Sequence, residues 1–159
     1  MIDRIDSRSR KRMHLWPIAV LRMYAGSFFA WHGFGKLSNG DFTAGMEGFL
    51  TGRLESSFSF YRPFIEYVVL PNKELFAALV AWGELAVGLA LVVGLATRYA
   101  ALAGAFLALN FWFAKGEGFL AGSNHDVVWI MIMLVLALVP AGRIAGLDDG
   151  LSDRLPFLR

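Results

Sequence analysis

The run from Leu75 to Thr97 is 23 residues long and carries a single charged side chain, Glu84, near its middle. A stretch of that length and apolarity reads as a helix able to cross a bilayer. A carboxyl at that depth is costly unless it is paired, hydrated or protonated. The feature therefore sets two requirements at once: a helical membrane fold, and company for Glu84 inside it.

Composition agrees with the first requirement. Hydrophobic residues make up 57% of the 159-residue chain and charged residues 18%, too apolar for an ordinary soluble surface. The length suits one domain, a small helical bundle over residues 1–159. Four apolar segments are expected as transmembrane helices, at about 17–35, 75–97, 99–114 and 127–147. Pro17 fits a first helical turn, and Thr97-Arg98 leaves almost no loop, so the second and third segments should form a tight antiparallel pair.

The first twelve residues hold Arg4, Arg8, Arg10, Lys11 and Arg12, directly ahead of an apolar helix. That order points to a membrane-orienting flank rather than a nucleic-acid arm, with contact to anionic lipid as a compatible role. It places 1–16 and both termini in the cytoplasm and makes the lipid bilayer the first partner, with no nucleic acid. No small-residue cleavage site follows, so the first helix is expected to be retained. The absence of cysteine removes thiol relays and Cys-ligated clusters from this chain. His14, His32 and His125 have no spacing that demands haem or another metal.

Between the first two apolar segments lies an aromatic stretch, 37–72, with Phe42, Phe49, Phe58, Phe60, Tyr61, Phe64 and Tyr67. Glycines at 40, 45, 48 and 52 are expected to break its first half, and Tyr61 to Leu70 to lie as a short interfacial helix. Two roles stay open for it, a plug of the bundle's outer mouth or a lid over a ligand.

Helical rise converts sequence position into depth. From the cytoplasmic end, Arg22 falls about 9 Å deep, His32 about 24 Å, Glu84 about 20 Å and Asn110 about 18 Å. His32, Glu84 and Asn110 thus share a layer, and His32 is the expected partner of Glu84, while Arg22 is free to reach toward the headgroups. Arg22, Gly26, Phe29, Gly33 and Lys36 recur on one helical face, as do Glu84, Gly88, Leu91, Leu95 and Arg98. Each face sets a glycine one turn after its charged residue, where helices can approach closely. Asn124 or Ser123 is expected to cap the fourth helix, with Asp126 at its positive end. His125 and Lys36 could instead form a ligand-facing rim. Trp31, Trp112 and Trp129 read mainly as interfacial anchors.

The stretches Leu21-Arg22 to Gly35-Lys36, Pro71-Asn72, Gly83-Glu84 to Thr97-Arg98 and Ala141 to Asp148 resemble the DoxX/DoxD family of bacterial membrane proteins, over roughly Leu21 to Arg154. The resemblance implies a four-helix protein of the bacterial plasma membrane. The aromatic segment and Pro71-Asn72 lean toward the DoxD-like side, linked to the small subunit of thiosulfate:quinone oxidoreductase. The expectation is a subunit of a quinone-linked oxidoreductase, with a second subunit or a second copy as partner and sulfur-compound oxidation as the setting. Glu84 and His32 would exchange protons with the quinone, Arg22 would neutralise developing charge, and Asn110, Lys36 and His125 would contact the cofactor. A non-enzymatic scaffold for a partner enzyme, or a small-solute carrier, are the competing expectations.

Overall fold

A computed structural model describes residues 16–151, and those residues are helical with no strand. Helix α1 (Trp16–Ser38) is followed by α2 (Phe42–Arg53), the long α3 (Arg62–Val93), α4 (Thr97–Lys115), α5 (His125–Leu138) and the short α6 (Leu147–Leu151). Helix α1 packs mainly on α3, α4 mainly on α5, and α3 joins the two pairs through α4. The main core lies among them, built from Ala25, Phe29, Val87, Leu91, Ala101, Met133 and Leu136.

The α1–α3 contact is close because glycine makes it so. A Cβ on Gly26 would collide with the Val92 backbone nitrogen, one on Gly33 with that of Leu85, and one on Gly88 with that of Ala30. The two glycine-bearing faces foreseen from spacing do meet. Leu95 and Arg98 leave the second face because α3 ends earlier than expected, at Val93. Gly94 takes the left-handed conformation (φ 68°), and the Leu95 N–H donates to the Ala90 carbonyl at 2.9 Å, closing the helix end. Thr97 therefore starts α4 rather than ending α3.

Two further boundaries differ from expectation. Helix α5 stops at Leu138, not Leu147, because Pro140 holds Val139 extended (φ −99°, ψ 142°). At the other end, the interfacial helix foreseen at 61–70 is continuous with α3. Pro71 has no N–H to give to the turn before it, and the chain adjusts through a π turn at Ile65–Val69 and a 3-10 turn at Leu70–Asn72. The 37–72 segment is also more ordered than its glycines suggested. Gly45, Gly48 and Gly52 lie in or at the end of α2 with open space beside them, while Met46 and Leu50 pack on Ile65, Val69 and Ala114. Tertiary burial overrides the weak local propensity.

Among the described residues, α3 is the one helix long and apolar enough to cross a membrane, and α5 is apolar but shorter. Only 33% of the most apolar part of α3 is buried within the bundle. Leu75, Leu79, Trp82, Leu89 and Val93 face outward. A core helix of a soluble protein would be mostly covered, whereas this helix leaves an apolar face uncovered by the rest of the bundle.

Candidate functional site: a cavity beside the Lys36–Glu84 pair

Glu84 is buried on α3, and its partner is Lys36, whose ammonium donates to Oε2 in a close ion pair. His32 was expected there. Its depth was judged correctly: Gly33 abuts Ala81 and Leu85, and Ala30 abuts Gly88, so His32 is level with Glu84. The helical angle decides against it, because His32 turns outward, exposed, and lies on the Phe28 ring with centroids 4.3 Å apart. Lys36 sits one turn further along the buried face. Side chains on a helix lean toward its N-terminus, which sends the four-carbon stem of Lys36 back to the level of Glu84.

Beside this pair is a half-open cavity of about 510 Å³, bordered by α1, α2, α3 and α4. Its walls are chiefly apolar, with Phe42, Phe49, Ile65, Leu79, Phe106 and Phe111 among them. The Lys36 ammonium lies 5.8 Å from the Phe42 ring centre and 5.9 Å from that of Phe111, so two rings also flank the cation. Polar groups are few. Asn110 lines the cavity but does not touch Glu84; its Oδ1 accepts from the Tyr61 hydroxyl, and its Nδ2 donates to the Phe106 carbonyl at 2.6 Å. Burial pushes the Tyr61 phenol up to about 12, so it remains a protonated donor at neutral pH. Lys115, also in the lining, pairs with the buried Asp126 of α5 at 2.8 Å.

The cavity is held open by a frame of local contacts. Glu47 on α2 accepts from Lys73 on α3 at 2.6 Å. The Ser57 hydroxyl donates to the Ala114 carbonyl at 2.7 Å and the Phe58 N–H to that of Phe113 at 3.2 Å, tying the loop after α2 to the end of α4. The α5 cap is as expected: Asn124 Oδ1 accepts from the Val127 N–H at 3.3 Å. His125 is exposed and outside the cavity lining, so of the foreseen rim only Lys36 is present. Trp31 points outward, whereas Trp129 stacks on Phe28 at 4.1 Å and so joins α5 to α1.

Arg22 stands apart from all of this. It is fully buried near the opposite end of α1, ten residues of α3 away from Glu84, which is about 15 Å along the axis. It does not reach toward headgroups. Its guanidinium donates to the Ala141 carbonyl at 3.1 Å and the Ala145 carbonyl at 2.9 Å, while Asp148 supplies the nearby negative charge. Asp148 in turn accepts from the backbone N–H groups of Ala96 at 2.7 Å and Thr97 at 3.0 Å. Arg22 and Asp148 thus bind the segment after α5 to the α3–α4 turn.

Sequence reasoning missed Tyr61 and Asp148 as partners. Tyr61 was counted only as one aromatic among many. Asp148 stood in the closing segment Gly146-Leu147-Asp148 without a partner to suggest its role. His14 lies outside the described residues. Among the described residues no group of three or more His, Asp or Glu side chains is placed to hold a metal.

The DoxX family model matches residues 18–117, which cover α1 through α4 and every wall of the cavity. The chain belongs to the DoxX family. No curated protein and no solved structure matches it. DoxX proteins are membrane proteins, in keeping with the uncovered apolar face of α3.

Proposed function

We propose that this DoxX protein is the membrane subunit of a quinone-linked oxidoreductase of the bacterial plasma membrane, of the DoxD-like type, and that the cavity beside Lys36 and Glu84 receives the quinone. In this reading α1, α3, α4 and α5 all cross the bilayer, with both termini in the cytoplasm. The regular part of α3, 21 residues, spans about 32 Å by its rise, matching a hydrocarbon core of about 30 Å.

The observation that carries the reading is the cavity's chemistry. Its volume of about 510 Å³ lies within the range for small-ligand sites. Aromatic and aliphatic walls suit a flat ring with an apolar tail. Charge refines the choice. Both lysines in the lining are neutralised by buried carboxylates, Lys36 by Glu84 and Lys115 by Asp126. Such a site favours a neutral ligand over an anion, because a free negative charge would have to displace an existing partner. The residues fit a quinone: Lys36 can donate toward a ring oxygen, and Tyr61 with Asn110 supplies a second polar point on the wall.

Bound there, a quinone supplies the acceptor for two electrons and two protons. The chain's own residues would handle the protons. Lys36 can give up a proton at Nζ to a ring oxygen, which leaves a neutral amine beside the Glu84 carboxylate. That carboxylate favours the return of a proton to Nζ, so each proton delivered is replaced from outside the cavity. The electrons would come from a second subunit or a bound donor, with sulfur compounds as the proposed ultimate source.

The test is binding of a short-chain quinone analogue to the purified protein in lipid nanodiscs, together with quinone reduction by membranes of cells carrying Glu84→Gln. Saturable binding by the wild type and a membrane rate lowered about tenfold or more, at normal protein level, are expected for loss of the carboxylate that restores the proton at Nζ. No binding by the wild type, with an unchanged rate in the variant, would remove the proposal.

A further inference from the structure

At the opposite end of the bundle a second cavity of about 170 Å³ lies between the start of α4 and the chain following α5. Its character is the reverse of the first. Arg98 and Arg143 line it, and among the described residues neither has an ion-pair or hydrogen-bond partner for its guanidinium. Thr97 also lines it, 2% exposed, and its hydroxyl is buried without a hydrogen-bond partner. Gly142 packs directly on Thr97 and Asp148, where a Cβ would overlap the Thr97 hydroxyl and the Asp148 carboxylate.

Asp148 is the one acid in the lining, and it is already engaged. Its two oxygens accept from Ala96 and Thr97, and Arg22 lies behind it. The remaining balance is two guanidinium groups without a partner among the described residues and one unused hydroxyl, the leading N–H groups of α4 being already taken by Asp148. Two such arginines beside a buried hydroxyl in one concavity suit an anion with several acceptor oxygens.

We propose that this cleft binds a phosphate group, with Arg98 and Arg143 as its charged jaws and the Thr97 hydroxyl as a donor from the floor. The site is independent of the quinone reading and shares none of its residues. Its place in the fold fits a lipid headgroup, because the turn after α3 is where the apolar helix ends and the interface begins. A free phosphate carries the same chemistry.

Two arms of one experiment separate these sources. In the first, protein extracted in mild detergent is given phosphatidylglycerol or phosphatidylcholine, and retained lipid is counted by native mass spectrometry. Wild type should retain phosphatidylglycerol preferentially. The pair substitution Arg98→Gln/Arg143→Gln should lower that retention roughly tenfold or more, the loss of at least one charge-assisted hydrogen bond. Thr97→Val, which keeps the side chain's shape, should lower it less. In the second arm, thermal unfolding is compared in inorganic phosphate and in chloride at equal ionic strength.

Preferential retention of phosphatidylglycerol by wild type but not by the pair variant, with no added thermal stability in inorganic phosphate, assigns the site to lipid. The same contrast in thermal stability with inorganic phosphate assigns it to the free ion. Equal behaviour of wild type and a folded pair variant in both arms, or no preference by the wild type in either, overturns the proposal.

Discussion

Two buried charged centres sit near opposite ends of the α1–α3 pair, and they are built differently. Lys36 and Glu84 meet side chain to side chain beside a large cavity, and Lys36 is partly open to it. Arg22 is fully buried, two of its bonds end on backbone carbonyls, and its acid is tied to two backbone N–H groups. Arg22 lines neither cavity and gives two donors to backbone carbonyls, so it is placed to hold structure. A charge paired with one flexible partner at a cavity wall can exchange that partner or its proton. On the proposed reading, the contrast gives Arg22 to the fold and Lys36 with Glu84 to the chemistry.

The largest expected effect tests the structural centre. Arg22→Leu removes the donors of two buried carbonyls and leaves Asp148 without its counter-charge, which should cost about 3–5 kcal/mol. Thermal unfolding in detergent measures it, and quinone affinity per folded molecule should be unchanged. Gly88→Ala comes next. Its Cβ overlaps the backbone of Ala30, so α1 and α3 must part, at a cost of about 1–3 kcal/mol. A stability equal to wild type would mean that the helices are not packed as closely as described.

Glu84→Gln should move stability less, by about 1 kcal/mol or below. The amide keeps a hydrogen-bonding group of the same shape, and Lys36 can turn toward the cavity to remain solvated. Its effect should fall on quinone reduction. A stability loss as large as that of Arg22→Leu, with normal turnover, would erase the distinction between the two centres.

The smallest effect concerns Tyr61. Its phenol ionises near 12 where an ordinary tyrosine ionises near 10. The folded state therefore favours the neutral form, and the stability tied to it is intact below about 10 and lost as pH rises toward 12. A spectrophotometric titration should show one late-ionising tyrosine that disappears in Tyr61→Phe. That variant should also lose about 1 kcal/mol with its bond to Asn110.

The pattern of what could be read beforehand follows from physics. Apolar length revealed α3, and glycine spacing revealed the faces by which α1 and α3 meet, since both depend on local order in the chain. The depth of His32 was right too. Its facing was not, because a shift of one residue turns a helix by about 100° and no count of rise contains that angle. Lys36 had been placed on the buried face, yet the length of its side chain hid how far back it could reach. Arg22 found its partners 119 and 123 residues away, in carbonyls at Ala141 and Ala145 that any sequence would carry. Helix α2 was obscured by its glycines, because the packing of Met46 and Leu50 on distant helices outweighs local preference.

The most direct test of this division is the affinity of a short-chain quinone analogue, measured per folded molecule in nanodiscs for Lys36→Met and Arg22→Leu side by side. Lys36→Met should weaken binding about tenfold, the worth of one charge-assisted hydrogen bond, while Arg22→Leu leaves affinity at the wild-type value. Unchanged affinity in Lys36→Met, or an equal loss in both variants, would contradict it.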